Sequence, residues 1–178
     1  AKTALAFFTM LRHYKGESAG KELELEDWQC FIVWVVFGWK TQDGRRRFTY
    51  ANVEVARKNG KTTFAAGIAL YMLVLDGEAG AEIYSAAVDK TQASICWDAA
   101  KLMIEQSPEL KAYLTVWKTS IVYERTASSY KPLSKETKNK DGLSPHCAIC
   151  DEMHAWTSDD LYHLITTGMG ARRQPLVF

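Results

Sequence analysis

The stretch Arg45–Leu75, RRRFTYANVEVARKNGKTTFAAGIALYMLVL, decides the reading of the fold. Its first part, RRRFTYANVEVA, alternates in polarity and is rich in Val, Tyr and Thr, which predicts a strand. The polar turn RKNG closes it. KTTFAAGIALYMLVL then places apolar residues at helical spacing and predicts a helix ending near Asp76–Gly77. A strand, a glycine turn, a lysine and a helix, in that order, make a phosphate-binding loop. The general pattern is G-x-x-x-x-G-K-[ST]; here the eight residues are Val55, Ala56, Arg57, Lys58, Asn59, Gly60, Lys61 and Thr62, with Val55 in place of the first glycine. The residues that carry the chemistry are kept. Gly60 lets the backbone wrap closely and aim N–H groups at phosphate oxygens. The helix opening near Lys61 adds its positive end. Lys61 can neutralise the β- and γ-phosphates, and Thr62 can ligate Mg²⁺. The bland alternative is a basic strand-to-helix turn with no ligand.

Working outward, helices are predicted over Ala1–Tyr14, Glu26–Phe37, Lys90–Gln106 and Asp159–Thr167, with a polar linker through Gly20. Ser107–Pro108 stops the long one. Strands are predicted for AEIYSAAV, for short and partly antiparallel pieces within Leu114–Pro132, for HCAICDE and for QPLVF. Strands alternating with helices imply an α/β fold with a mainly parallel central sheet flanked by helices on both faces. Ligands in such sheets sit at the carboxyl ends of strands. The turn RKNGKT and the pair Asp151–Glu152 both fall there. An apolar strand ending in Asp151 places that carboxylate where it can hold the water shell of Mg²⁺, and Glu152 can orient and activate an attacking water. Alone, two acids after an apolar run are a weak signal, because acids often flank strands.

Bulk composition excludes several classes. With 178 residues, 47% hydrophobic and 24% charged, the chain suits one globular domain rather than a disordered segment. A net charge of +1 gives no global signature of a nucleic-acid binder. Contact with phosphate backbone must come from local clusters: Arg45–Arg47, the run Lys131–Lys140, or Arg172–Arg173. For each alone, a solvated charged surface is the plainer reading. FIVWVVFGW is about half the length needed to cross a bilayer. Four cysteines at 30, 96, 147 and 150 do not read as a disulfide framework, and Cys30, Cys96 and Cys150 sit within apolar runs that suit buried free thiols of a reducing compartment. A zinc site drawn from Cys147, Cys150 and His154, with His146 nearby, fails on strand geometry, since positions 147 and 150 point to opposite faces.

DWQCFIVWVVFGW, the block from RRFTYANVEVARKNGKTTFAAG through EIYSAA, DGLSPHCAICDEMHAW and TGMGARRQPL together resemble the N-terminal ATPase domain of tailed-phage terminase large subunits, from about Leu23 to Phe178. That family tolerates loss of the first P-loop glycine. The resemblance implies a P-loop NTPase of the additional-strand, catalytic-glutamate class, with ATP and Mg²⁺ as ligands. It implies catalytic roles for Glu152, Lys61 and Arg57, the last as the arginine three residues before the P-loop glycine. It implies a nucleotide site built from Trp28, Gln29, Ala56, Arg57, Lys58, Asn59, Gly60, Lys61, Thr62 and Thr63, with Gln29 reading the adenine edge, and a metal site at Thr62 and Asp151. An arginine supplied by a neighbouring subunit is implied as well. Arg125, Arg172 and Arg173 are candidates, and the stretch Ser134–Lys140 offers lysines instead.

The implied activity is ATP hydrolysis that moves double-stranded viral DNA into a procapsid. The implied partners are DNA, a portal protein, the small terminase subunit and a homo-oligomeric, pentameric ring, in the host cytoplasm with no membrane. The family's coupling motif and its nuclease domain are not in this sequence, so residues 1–178 read as the ATPase domain alone. Two other readings are kept: a helicase-like DNA translocase, which needs a second motor domain, and a catalytically silent DNA- or portal-binding module, which intact Lys61, Thr62, Asp151 and Glu152 argue against.

Overall fold

The computed structural model describes residues 1–134 and 142–178. In chain order the elements are α1 (Lys2–Phe8), α2 (Asp27–Gly38), α3 (Lys61–Val74), β1 (Glu82–Ala87), α4 (Lys90–Gln106), α5 (Pro108–Lys111), β2 (Thr115–Val116), β3 (Ile121–Tyr123), β4 (Ser128–Ser134), β5 (Pro145–Cys150), α6 (Asp160–Gly168) and β6 (Leu176–Val177), with short 3₁₀ turns between some of them. The six strands form one sheet in the order β2-β3-β4-β1-β5-β6. β4, β1, β5 and β6 run parallel, while β2, β3 and β4 pair antiparallel. The α/β expectation is met, and so is the antiparallel character expected within 114–132. The lysine-rich run Lys131–Lys140 is described only as far as Ser134, and the rest of it lies outside the described residues.

Each helix is explained by what it covers. α1 to α4 enclose a large apolar cluster on one face of the sheet, including Phe7, Phe8, Phe64, Leu70, Met103 and Ile83. α6 covers the other face, packing Leu161, Ile165 and the following Met169 on Tyr84, Ala86 and Ala148. α3 is apolar nearly all round, with ten consecutive buried residues from Phe64 to Leu73; such a helix belongs in the centre of a core. α1 approaches it at Gly67, where an added Cβ would stand 2.4 Å from Phe8 Cε1.

Two predicted elements change. The helix expected over Ala1–Tyr14 stops at Phe8. The chain after it folds back instead: His13 N–H donates to Lys21 O at 2.9 Å, Leu23 N–H donates to Leu11 O at 2.9 Å, and Arg12 and Glu22 pair at 3.1 Å. The expected linker through Gly20 is therefore the connecting loop of a small hairpin whose arms are residues 11–13 and 21–23. The strand expected over RRRFTYANVEVA is extended chain with only isolated bridges, Lys40 to Arg46 and Tyr50 to Val177. Its alternation is real, but a strand needs a paired ladder, and among the described residues the segment pairs only at those two bridges. At that bridge Ala51 N–H donates to Val177 O and Val177 N–H donates to Thr49 O, both at 2.9 Å. β6 thus lies between the segment that leads to the P-loop and β5, which carries the acidic pair. This is the inserted-strand order expected of the additional-strand class.

Two arginines read as solvated surface are structural. Arg46 is fully buried; its guanidinium meets both oxygens of Asp76 at 2.9 Å and also donates to Gln174 O. His146 Nε2 lies 2.8 Å from Asp76 Oδ2, and Gln174 Nε2 donates to Asp76 O at 3.2 Å. Burial pushes the Asp76 carboxyl up. The hydrogen bonds from His146 and Arg46, with the Arg46 charge, outweigh burial and hold it below the ordinary carboxylate range. Arg172 donates to Ser144 O at 2.7 Å and Gly80 O at 2.8 Å and faces Glu78 at 3.5 Å.

Candidate active site

The carboxyl ends of β5 and β6, the extended segment 50–57 and the first turn of α3 enclose a cleft of ≈ 790 Å³. Gly60 makes the first turn possible. It caps α3 with φ 71°, the left-handed region that favours glycine. α3 begins at the next residue, and its opening N–H groups meet the cleft without an acidic side chain in the first turn. Lys61, Thr62 and Arg57 line the cleft, as do Asp151 and Glu152 from the opposite wall.

The two walls meet at one contact. Lys61 Nζ lies 3.0 Å from Asp151 Oδ1. The carboxylate is placed by β5, because Asp151 N–H donates to Ala86 O of β1 at 3.2 Å and Trp156 Nε1 donates to Asp151 O at 3.1 Å. Glu152 follows with φ 48° and donates its N–H to Asp151 Oδ1 at 3.0 Å. This sharp turn leaves the Glu152 side chain exposed on the cleft rim. Lys58, next to Arg57 in the P-loop turn, also has φ 68°, as Ala127 has 53° in the turn before β4. Such strain concentrates where geometry is held for a purpose.

The remaining expected residues fall at different places. Trp28 lines the cleft, its ring edge-on to Phe64 at 5.6 Å. Gln29 is buried rather than open to the cleft. Its Oε1 accepts from Glu26 N at 3.0 Å in a reciprocal cap of α2, and its Nε2 would lie 3.7 Å from a Cβ at Gly60. Gln29 therefore sits directly behind the glycine turn, with its oxygen engaged. Asn59 Nδ2 donates to Ala56 O at 3.3 Å and closes the turn on itself. Ala56, Lys58, Asn59 and Gly60 are exposed, and Thr63 is half-buried in α3. Arg125 is exposed in the turn before β4. That turn accepts Gly80 N–H, next to the amino end of β1, so it lies at the amino ends of the parallel strands, while the cleft lies at their carboxyl ends. Arg172 is tied to the backbone as described, and Arg173 is exposed. The lysines at 135, 138 and 140 lie outside the described residues.

Several lining residues escaped the sequence reading: Tyr50, Tyr162, Phe178 and the thiols Cys96 and Cys150. Tyr50 was legible in principle, as the outward residue of the alternating segment before the loop. Tyr162 and Phe178 reach the cleft only through tertiary folding. Cys147 packs in the cluster beneath α3 and Cys150 packs on the α6 side, so the two thiols do occupy opposite faces of β5. Burial pushes Cys96 up to about 11 and Cys150 up to about 12, and raises Cys147 well above the ordinary thiol value. These are poor thiolate ligands. Among the described residues no helix is long and apolar enough to cross a membrane.

The family profile described as the terminase large subunit, ATPase domain, matches residues 27–178. The chain is 32% identical over 168 residues to the terminase large subunit of Enterobacteria phage HK97, covering 92% of this chain and 32% of that protein. It is 37% identical over 84 residues to protein YmfN of Escherichia coli K12, covering 47% of this chain and 17% of that one. The chain thus spans a third or less of the length of these relatives. Among solved structures, the HK97 large terminase superposes with a TM-score of 0.85 at 30% identity over 99% of this chain and 36% of its own. The ATPase domain of the Thermus phage P74-26 large terminase gives 0.60 at 17% identity over 81% of this chain and 66% of its own, a likeness of fold alone. With a P-loop turn and an acidic strand tip meeting across one cleft, and with the family profile matching from α2 onward, this chain belongs to the family of terminase large-subunit ATPase domains.

Proposed function

We propose that the cleft binds ATP with Mg²⁺ and hydrolyses it, and that this turnover drives double-stranded DNA into a viral procapsid. The observation that carries the reading is the 3.0 Å approach of Lys61 to Asp151. It brings the cation for the phosphates and the carboxylate for the metal to one point, with Thr62 beside them in the cleft. One hydroxyl and one carboxylate are too few for an all-protein metal cage, and no cluster of three or more His, Cys, Asp or Glu is placed to hold a metal among the described residues. That sparse donor set suits Mg²⁺, which keeps much of its water and binds together with substrate phosphates. When bound, the metal neutralises charge on the phosphates.

The chain's own residues supply the rest. The α3 amino end and the P-loop N–H groups hold the phosphates. Lys61 leaves Asp151 to follow the β- and γ-phosphates. Glu152 accepts a proton from the attacking water and orients it. Arg57, on the cleft wall, stabilises charge at the γ-phosphate or couples its release to movement. Trp28 and the Gln29 amide lie on the side where the base is read. The full motor works as a ring of five subunits, docked on a portal with the small subunit in the host cytoplasm. A neighbour's cation completes each site, from Arg125, Arg173 or a lysine of the 135–140 segment. Arg172 is the weakest of these candidates, because its donors are already engaged.

Lys61→Ala tests the reading: nucleotide binding or turnover is expected to be lost. Steady-state hydrolysis equal to that of the parent chain would refute it.

A further inference from the structure

None of the buried group Arg46, Asp76, His146 and Gln174 lines the cleft, yet each member belongs to a segment that reaches it. Arg46 precedes the extended chain that becomes the P-loop. Asp76 follows α3, whose first residue is Lys61. His146 is in β5, five positions before Asp151. Gln174 leads into β6, which reaches the cleft at Val177 and Phe178. One carboxylate joins all four. Asp76 takes both guanidinium nitrogens at 2.9 Å, His146 Nε2 at 2.8 Å and Gln174 Nε2 at its backbone oxygen at 3.2 Å. Gln174 also takes Arg46 N–H at 3.2 Å.

Stability alone does not explain this group. Ion pairs buried this deeply recover their desolvation cost poorly, and apolar replacements often do as well. The side chains of Arg46 and His146 are 0% exposed and that of Asp76 is 4%, while Arg46 Nε and His146 Nδ1 have no hydrogen-bond partner among the described residues. What a two-pronged, directional group does supply is fixed geometry. Apolar packing would let four elements slide along one another by fractions of an ångström; a shared carboxylate does not.

We propose that Arg46, Asp76, His146 and Gln174 are positioning residues for the nucleotide site, setting the axial register of the P-loop segment, α3, β5 and β6 so that Lys61 and Asp151 meet. The proposal rests on the ATP reading above for its functional consequence, but its structural half is independent of nucleotide.

The experiment uses Asp76→Asn, the milder Gln174→Leu, and Leu110→Ala as a control. Leu110 is buried in α5, outside all four segments. Two signals are read under conditions where each variant is folded by circular dichroism. The first is the affinity for a fluorescent ATP analogue. The second is the Trp156 indole N–H resonance, assigned with Trp156→Phe, which reports the hydrogen bond to Asp151 O at 3.1 Å. Asp76→Asn and Gln174→Leu are expected to weaken the analogue by about tenfold or more and to move the Trp156 signal, while Leu110→Ala changes neither, even with an equal loss of melting temperature. Variants of the buried group that behave like Leu110→Ala in both signals overturn the proposal. An analogue that fails to bind the parent chain sinks the ATP reading instead, and the Trp156 signal still decides the register.

Discussion

At the scale of single residues, what was legible was local chemistry. Lys61, Thr62, Asp151 and Glu152 follow from motifs a few residues long, and all four line one cleft. Arg46 was illegible for the opposite reason. A triple-arginine run reads as solvated, and its partners stand 30 and 128 residues away along the chain. Gln29 was half legible: its place beside Gly60 agrees with a nucleotide role, but its oxygen serves as a helix cap, which a linear reading of the motif did not separate. Glu152 gives the residue-scale prediction. Its backbone conformation is set by the turn after β5 and its side chain makes no contact that holds Asp151, so Glu152→Gln should leave ATP binding within about twofold while removing hydrolysis by about 10²-fold or more. Single-turnover kinetics beside equilibrium binding separates the two. Normal turnover in this variant would mean that another group activates the water.

At the scale of elements, helices were read better than strands. α3 and α4 match their expected spans closely because each carries its own periodicity and its own stop, Gly60 before α3 and Ser107–Pro108 after α4. The segment 45–56 failed as a strand because alternation describes one chain, whereas a ladder needs two. The loop after α1 failed because pairing of Leu11 and His13 with Lys21 and Leu23 leaves no apolar period to read. Gly67 gives the prediction at this scale. In an open helix Gly→Ala would add about 1 kcal/mol of stability. Here the new methyl would stand 2.4 Å from Phe8 Cε1 and 3.1 Å from Leu11 Cδ1, in a core where Phe8 is itself 1% exposed. Overpacking wins, and Gly67→Ala should destabilise by about 1–2 kcal/mol, a fall of about 2–8 °C in melting temperature. A melting temperature at or above the parent value would show that α1 can withdraw from α3 at no cost.

For the whole molecule, one sheet is held at the two ends of its parallel strands, by the contact of Lys61 with Asp151 at one and by buried ion pairs at the other. The second end gives the molecule a defined acid sensitivity. The Asp76 carboxyl is held below its ordinary value, so its contribution to stability is fully present above the unfolded value of about 3.9 and is lost as pH falls through the lower folded value. Chemical denaturation from neutral pH downward should therefore show a loss of stability below about pH 4 that is smaller in Asp76→Asn, since the variant lacks that titration. Identical acid slopes would place the titration elsewhere. The same sheet also carries its own stopwatch. Cys147 is sealed between the sheet and the helices that cover it, and burial keeps its thiol protonated at neutral pH. Maleimide or iodoacetamide can capture Cys147 only while the core is open, so its alkylation, followed site by site beside the half-buried Cys30 and Cys150, counts the moments at which the fold comes apart, with no residue changed.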